Sequence, residues 1–270
     1  MHKLIVSVVI GSYNRLDFLK KTIEGVRDEL DQTVHELIVV DGGSDDGSVE
    51  WLTQQKDIIS IIQHNRGEWR DRPIERKSWG YFMNLGFRAA SAKYICMLSD
   101  DCLVIPGAIK NGIKLFDDKL AAKEKVGAVA FYWRNWPEQK KYWVGVAWGN
   151  RMFVNHGLYL RDALQEVNFI DADTFSFYHA DGDLCLRLAD KGYKCVDSPD
   201  SFIEHYSDAN SEVRATNSER QKQDWKAYAA RWNHLKMPDE DWLEKDFSDS
   251  NHTAEKYWGN KKGLKGRSLR

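Results

Sequence analysis

Short apolar runs alternate with amphipathic segments over the first hundred residues, and this alternation restricts the fold more than any other feature of the sequence. Uninterrupted apolar runs of strand length cover residues 4–10, 37–40, 58–62 and 94–98. Apolar residues at three- and four-residue spacing predict helices over residues 16–30, 48–55 and 79–91. Strands that are apolar on both faces and are joined by helices predict an α/β fold with a mostly parallel central sheet flanked by helices.

The second half of the chain carries weaker patterns. The expected helices cover residues 106–120, 160–167 and 181–190, and the expected strands cover residues 126–133 and 142–148. From about Ser211 the chain becomes polar, and Trp225, Tyr228 and Trp232 follow a helical spacing. We therefore expect a helical C-terminal extension over residues 211–270 that ends in a basic tail.

Composition and charge exclude several classes of protein. The 270 residues contain 39 basic and 41 acidic side chains, a balance that argues against a dedicated nucleic-acid binder. No apolar run approaches the roughly 20 residues that cross a bilayer, and the apolar part of the N-terminus is too short for a signal peptide. The four cysteines lack Cys-x-x-Cys spacing, which argues against a zinc ribbon or a disulfide scaffold. These observations predict a protein of the reducing cytoplasm.

Two acidic turns follow predicted strands. Asp41 opens a glycine-rich turn, and Ser99, Asp100 and Asp101 end the strand that follows residue 93. Ligands of parallel sheets bind beyond the carboxyl ends of the strands, so we expect both turns at one edge. Adjacent carboxylates repel each other unless a cation neutralises them, and oxygen ligands of this kind suit Mg²⁺ or Mn²⁺ beside a diphosphate. The alternative is a pair of ordinary turns, because Asp, Gly and Ser are turn-forming residues.

A third acidic segment opens the predicted helix over residues 181–190. Asp181 and Asp183 lie in its first turn, where the helix dipole favours acidic side chains. An acid in this position can also act as a general base if it faces a substrate hydroxyl. His205 ends a short apolar stretch, and we assign it a ligand role only because the acidic turns require a partner.

Five segments in this order resemble the family 2 glycosyltransferases, the inverting nucleotide-sugar enzymes of GT-A fold. They correspond to the opening strand and loop, the second strand and acidic turn, the helix before the metal motif, the Asp-x-Asp-type motif and the acceptor-side acidic motif. In this sequence they are residues 6–15, 36–48, 84–90, 94–101 and 181–193. The resemblance covers roughly residues 4–206. It implies a GT-A catalytic domain over residues 1–210, with a nucleotide-binding half (1–104) and an acceptor-binding half (105–210).

The resemblance also implies roles for the candidate nucleotide and metal residues. Contacts to the nucleotide would come from Ser12, Asp41, Ser99 and Asp100. Asp41 would bind the nucleobase, and Asp100 would contact the ribose or bridge to the metal. Asp101 would hold a divalent cation, Mn²⁺ or Mg²⁺, on the diphosphate, and His205 would complete that site.

By the same resemblance Asp181 would be the general base that deprotonates the acceptor hydroxyl, and Asp183 is the weaker second candidate. The sequence departs from the family pattern at three positions. Gly42 replaces the second aspartate of the first turn, Ser99 stands where the metal motif often begins with aspartate, and Ala180 precedes Asp181. The first two departures affect the nucleotide contacts, and the third leaves Asp181 as the natural base.

Two other groups of side chains have alternative interpretations. The basic segment over residues 65–78 would contact the diphosphate or an anionic substrate, or it would be a solvated loop. Trp133, Trp136, Trp143 and Trp148 lie between the metal motif and the base motif. Tryptophan rings can stack on sugar C–H surfaces, but we expect at least two of these four to belong to the core.

Together these features predict a metal-dependent inverting glycosyltransferase of the hexosyltransferase type, which functions in polysaccharide, glycolipid or glycoprotein glycan synthesis. The expected donor is a nucleotide sugar, by family weight a UDP-sugar, and the expected acceptor is a glycan or a lipid-linked saccharide. One alternative is a nucleotidyltransferase, although residues 11–15 lack the lysine-containing loop such an enzyme needs. Another is a non-catalytic carbohydrate-binding protein. The basic residues between Lys261 and Arg270 would either contact the inner face of a membrane peripherally or remain solvated.

Overall fold

The computed structural model describes residues 4–206 and 218–246. In chain order the first elements are β1 (Val6–Ser12), α1 (Leu16–Leu30), β2 (His35–Asp41), α2 (Ser48–Gln54), β3 (Ile58–Ile62), β4 (Glu68–Trp69), β5 (Arg72–Pro73), α3 (Trp79–Ala89), β6 (Tyr94–Ser99), β7 (Cys102–Val104) and α4 (Ala108–Ala121). The later elements are β8 (Val126–Asn135), β9 (Tyr142–Ala147), β10 (Arg151–Met152), β11 (Gly157–Leu160), α5 (Arg161–Glu166), α6 (Ala180–Asp190), β12 (Lys194–His205), α7 (Ser218–Trp232) and β13 (Trp242–Lys245). Among these residues no helix is long and apolar enough to cross a membrane.

The first four long strands form the predicted parallel sheet in the order β3-β2-β1-β6. β1 pairs in parallel with both β2 and β6, and β2 pairs in parallel with β3. β11 runs in the opposite direction and pairs with β6 on one side and β8 on the other. β8 and β12 therefore point the same way as the first four strands, so that the predicted α/β class with a mostly parallel sheet is confirmed.

The sheet is buried on both faces, which explains why its strands read as continuous apolar runs. Val8 and Ile10 of β1 pack with α1 and α4, in a core that also contains Ile23 and Phe116. The intervening Val9 faces a second core, which includes side chains of α3, α6 and α7. One strand thus supplies alternate side chains to two helical layers.

Most of the predicted elements are present, and some boundaries are unchanged. The helix over residues 16–30 and the strand over residues 58–62 form as predicted, whereas the first strand begins and ends two residues later than expected. The pattern missed β12, since polar residues interrupt it and its register shifts between Ser198 and Phe202. Residues 207–217, the start of the expected extension, and the basic tail beyond residue 246 lie outside the described residues.

Candidate active site

A cavity of about 200 Å³ opens beyond the carboxyl ends of β1, β2 and β6, at the edge where the acidic turns were expected. Side chains from several elements line it, including Ser12, Tyr13, Arg15, Ser99, Asp100 and Asn155. Asp41, Asp101, Asp181 and His205 do not line it and lie behind these residues. The cavity is the natural place for a ligand, because it combines apolar walls with convergent polar groups.

Asp41 holds the turn that follows β2. Its Oδ1 accepts hydrogen bonds from the backbone N–H groups of Gly43 and Ser44 at 2.9 and 2.7 Å, and its Oδ2 accepts one from Ser44 Oγ at 2.7 Å. Burial raises the pKa of this carboxyl above its ordinary value. Asp41 thereby fixes the backbone of the turn, and the neighbouring Gly42 contributes to the cavity wall.

Asp100 and Asp101 lie side by side after β6 and share one guanidinium nitrogen. Arg15 Nη1 is 2.8 Å from Asp100 Oδ1 and 2.8 Å from Asp101 Oδ2. Both carboxylates are buried, and burial, the largest cause, raises the pKa of Asp100 to about 6, although Arg15 opposes this shift. Arg15 therefore acts as a resident counter-ion for a pair of carboxylates that would otherwise repel each other.

His205 lies beside Asp101, one of the acidic residues with which the sequence analysis grouped it. Its Nε2 is 3.3 Å from Asp101 Oδ1, because β12 pairs with β7 in the register that places His205 opposite Cys102. Its Nδ1 is 2.9 Å from Asn135 Oδ1, an acceptor that fixes the orientation of the ring. A metal-ligating histidine commonly makes such a bond with its second nitrogen.

These residues fit a divalent cation that is completed by its substrate. Asp100 Oδ2 is a buried carboxylate oxygen that accepts no hydrogen bond from the described residues, and it lies beside the Asp101–His205 pair. The described residues contain no group of three or more His, Cys, Asp or Glu side chains arranged to hold a metal by themselves. Mg²⁺ and similar ions are often bound by one or two carboxylates, with phosphate oxygens of the substrate supplying further ligands.

Asp181 lies at the start of α6 and is connected to the cavity by Asn155. Asn155 Nδ2 donates to Asp181 Oδ2 at 2.7 Å, and the same asparagine lines the cavity beside Asp100. Burial raises the pKa of Asp181 to about 6. One side chain, Asn155, therefore connects the predicted base to the cavity that Asp100 lines.

Asp183, the second candidate base, is fully buried and committed to structural contacts. Its oxygens accept hydrogen bonds from Arg187 at 2.7 Å, Arg231 at 2.8 Å and the indole N–H of Trp232 at 3.0 Å. It anchors α6 to α7, and none of these three partners lines the cavity, whereas the partner of Asp181, Asn155, does. This geometry favours Asp181 over Asp183 for proton transfer.

Two polar residues of the cavity were not assigned a role from the sequence. Arg15 belongs to the first family segment, residues 6–15, but nothing in the sequence indicated that its side chain would contact Asp100. Asn155 lies between β10 and β11 and belongs to none of the motifs. Four buried polar atoms around the cavity make no hydrogen bond within the described residues, namely Ser12 Oγ, Arg15 Nε, Asp100 Oδ2 and Asn155 Oδ1. Buried groups of this kind are rare and often await a ligand or water.

The basic segment and the tryptophans divide between the cavity and the rest of the molecule. Arg66, Arg76 and Lys77 line the cavity, and the guanidinium of Arg66 lies 4.8 Å from the centroid of the Tyr13 ring. Arg70 and Arg72 are exposed around the β4–β5 hairpin. Trp136 and Trp148 are buried, which confirms that at least two of the four tryptophans belong to the core.

Comparisons with known proteins agree with this architecture. The family described as Glycosyl transferase family 2 matches residues 7–187. The uncharacterized glycosyltransferase YwdF of Bacillus subtilis is 26% identical over 229 residues, which cover 81% of this chain and 80% of YwdF. An uncharacterized glycosyltransferase of Nostoc is 28% identical over 116 residues, which cover 41% of this chain and 32% of that protein.

Solved structures show the same fold at low identity. A mannosyltransferase from Pyrobaculum calidifontis, solved with GDP-Man and Mn²⁺, superposes with a TM-score of 0.60 and 18% identity over 84% of this chain and 64% of that one. TarS of S. aureus superposes with a TM-score of 0.55 and 11% identity over 75% of this chain and 36% of TarS. The chain thus spans less than two thirds of either structure.

Proposed function

The chain belongs to glycosyl transferase family 2, and from this membership we propose that it is a metal-dependent enzyme that transfers a sugar with inversion from a nucleotide diphosphate to a hydroxyl group. Glycosyl transfer on a GT-A fold with a nucleotide-sugar donor is the activity of its family. The donor, the metal and the acceptor are the parts that we propose.

One observation carries the proposal: Asn155 lines the same cavity as Asp100 and donates a hydrogen bond to Asp181. The acidic pair and the candidate base are thereby connected to one cavity. We propose a displacement in which the leaving group departs toward the acidic pair while the incoming hydroxyl loses its proton to Asp181. Attack from the face opposite the leaving group inverts the anomeric configuration.

Asp181 is proposed to accept the proton of the acceptor hydroxyl. Its carboxylate is partly buried and has a pKa of about 6, raised by burial, so it is ionised at neutral pH and still basic enough to accept a proton. A base near the operating pH is the most effective choice, and a positioned base contributes about 10²- to 10⁴-fold in rate. The proton moves late, when the attacking oxygen already carries positive charge.

Asp101 and His205, with Asp100 beside them, are proposed to hold a divalent cation, Mn²⁺ or Mg²⁺. Such an ion, when bound, neutralises the charge that develops on the departing diphosphate. Arg15 adds a positive charge at the same place, and its guanidinium already lies against both carboxylates at 2.8 Å. The buried Asp100 oxygen and the oriented imidazole of His205 support this assignment.

The nucleotide is proposed to lie across the carboxyl ends of the strands from β2 to β6. Ser12, Ser99 and Asp100 line this path, and Asp41 holds the turn at its far end, where we place the nucleobase. The family-weighted donor is a UDP-sugar, but the Pyrobaculum calidifontis enzyme was solved with GDP-Man, so both bases belong in the test. The proposed acceptor is a glycan or a lipid-linked saccharide, and the proposed role is polysaccharide or glycoconjugate synthesis.

A panel of UDP- and GDP-hexoses with Mn²⁺, Mg²⁺ or EDTA tests the proposal. We expect one nucleotide sugar to raise the melting temperature only with a divalent ion, because selective binding stabilises the native state. The same donor should release its nucleoside diphosphate by slow hydrolysis or by transfer to an added saccharide. Asp101→Ala should lose the metal-dependent thermal shift, whereas Asp181→Asn should keep the shift and lose transfer.

The outcomes separate the proposal from its alternatives. Binding without any release of nucleoside diphosphate would indicate a carbohydrate-binding protein. Release of pyrophosphate from a nucleoside triphosphate and a sugar phosphate would indicate a nucleotidyltransferase. Wild-type transfer by Asp181→Asn would exclude Asp181 as the base.

A further inference from the structure

Asn155 occupies a position between the base and the cavity, and the two ends of its amide face different surroundings. Nδ2 donates to Asp181 Oδ2 at 2.7 Å. Oδ1 is buried and accepts no hydrogen bond from the part of the chain that the structure describes. The residue also lines the cavity that contains Asp100.

The chemistry of Asp181 determines which way this amide points. An ionised carboxylate only accepts hydrogen bonds, so the nitrogen of Asn155 must face Asp181 and the carbonyl oxygen must face away from it. A buried carbonyl oxygen without a donor is unfavourable, so a donor from water or from a bound ligand is expected at Oδ1. The neutral donors of a nucleotide sugar are the hydroxyls of its sugar ring, the ribose hydroxyls and the nucleobase N–H groups. The sugar ring carries the reacting carbon and therefore belongs nearest to the proposed base, which Asn155 contacts.

Among the groups around Asp181, Asn155 is a side chain that donates a hydrogen bond to its carboxylate. Tyr159 on β11, Cys185 on α6 and Tyr228 on α7 lie close enough to Asp181 to interact with it electrostatically, and burial is the largest cause that raises the pKa of each above its ordinary value. All three are therefore neutral through the pH range in which Asp181 titrates. The backbone N–H groups of Gly182, at 2.8 Å from Oδ1, and of Asp181 itself also donate to the carboxylate, and Asn155 supplies the side-chain donor to Oδ2.

We propose that Asn155 is a positioning residue for the base and, through Oδ1, the ligand for a hydroxyl of the donor sugar. This inference rests on the proposed function, in which Asp181 is the base and the cavity holds the donor. The amide of Asn155 then contacts both the donor sugar, through Oδ1, and the proposed base, through Nδ2. Only this side chain separates the bound sugar from the carboxylate that activates the acceptor. A donor that lacks this hydroxyl, or a bare nucleoside diphosphate, leaves Oδ1 without its partner.

The first experiment measures the titration of Asp181 in the 270-residue chain by carboxyl ¹³C NMR, assigned with Asp181→Asn. Donation from Nδ2 favours the charged form of the carboxylate, so Asn155→Ala should raise the pKa of Asp181 by about one unit. Asn155→Asp, which keeps the size of the side chain, should raise it further because two carboxylates then adjoin. Asn111→Ala, on the remote helix α4, is the matched control, because it removes an exposed amide hydrogen bond to the backbone carbonyl oxygen of Asp200 in β12.

The second experiment measures donor binding by calorimetry with Mn²⁺, using GDP against GDP-mannose and UDP against UDP-glucose. Asn155→Ala should weaken binding of the preferred nucleotide sugar about tenfold, the value of one hydrogen bond, and change binding of its nucleoside diphosphate less than twofold. Asn155→Asp keeps an acceptor oxygen toward the cavity and should bind the nucleotide sugar within about threefold of the wild type. A merely structural role would move both measurements together in both variants.

The two readouts separate failure of this inference from failure of the proposed function. An unchanged titration in Asn155→Ala, or equal losses for nucleotide sugar and nucleoside diphosphate, would overturn the role of Asn155 and leave the glycosyltransferase intact. If no nucleotide sugar binds at all, the proposed function fails. The titration then still decides whether Asn155 controls Asp181.

Discussion

Three aspartates of the site, Asp41, Asp100 and Asp181, share the same physical circumstance. Burial is the largest cause of a raised pKa in each of them. A carboxyl whose pKa is higher in the folded than in the unfolded state favours folding most at low pH, and this contribution disappears as the pH rises through the folded pKa. The acids of the site are therefore a source of instability at the pH at which the enzyme functions.

Asp181→Asn should accordingly stabilise the protein at pH 8 while it abolishes transfer. The pKa of Asp181 is about 6, against an ordinary value of 3.8, so the stabilisation should be near zero below about pH 3, grow between these two values and level off above about pH 7. A pKa shift of about two units corresponds to at most about 3 kcal/mol in the free energy of unfolding. Urea denaturation of the wild type and the variant at several pH values measures this difference. Asp190→Asn, exposed at the other end of α6, is the control, and a stabilisation independent of pH would contradict the prediction.

Two single residues, Arg15 and His205, supply the basic groups that contact the acidic pair. Arg15 bridges Asp100 and Asp101, and His205 approaches Asp101 at 3.3 Å. Neither contact follows from a local pattern, because each joins residues that lie far apart in the chain. The sequence could identify the acids as a pair, but it could not identify their counter-ion.

At the scale of elements, α7 holds the loop that leads into α6, the helix that begins beside Asp181. The buried carboxylate of Asp224 accepts hydrogen bonds from the backbone N–H groups of Ser176, Phe177 and Tyr178 at 2.9, 2.9 and 2.8 Å. Arg231 and Trp232, at the other end of α7, hold Asp183 in α6. This helix lies beyond the residues that match the family, yet both of its anchors flank Asp181.

Asp224→Ala should lower the free energy of unfolding by about 2–4 kcal/mol, because it leaves three backbone donors without an acceptor. Chemical denaturation measures the change directly. Lys226→Ala, at an exposed position of the same helix, should alter the free energy of unfolding by less than about 0.5 kcal/mol. Equal effects of the two substitutions would show that α7 does not anchor the loop.

At the scale of the whole molecule, β11 joins the two halves of the sheet. It lies between β6 and β8 and runs antiparallel to both. Its first residue, Gly157, has a φ of +152°, and an added Cβ would lie 2.2 Å from the carbonyl oxygen of Val129 in β8. The close approach of these two backbones thus requires glycine.

Gly157→Ala should destabilise the fold far more than an alanine substitution at a glycine that has a positive φ but open space around it. Gly67 also has a positive φ, of +86°, but an added Cβ there would meet nothing within 4 Å. We expect Gly67→Ala to cost about 1 kcal/mol from its backbone conformation, and Gly157→Ala to cost at least about 3 kcal/mol because backbone atoms must also separate. Thermal unfolding of both variants tests this, and similar melting temperatures would show that β11 can shift freely.

The sequence by itself determined the parts of this protein that depend on neighbours along the chain. The apolar run at residues 58–62 and the helical spacing at residues 16–30 are local patterns, and both elements form at those positions. The acidic turns were visible for the same reason, since in each of them carboxylates directly follow an apolar strand. A family pattern is a set of such local segments in order, which is why the fold class could be predicted from them.

Only the tertiary structure decided which of these groups meet. His205 reaches Asp101 because β12 pairs with β7 in one register, and a shift of one residue would turn its side chain to the other face. Asn155 reaches Asp181 because β11 inserts between β6 and β8 and brings its preceding loop to the start of α6. Periodicity records which face a residue takes on its own element, but the distance between two elements is set by packing and register, which no short stretch of sequence contains.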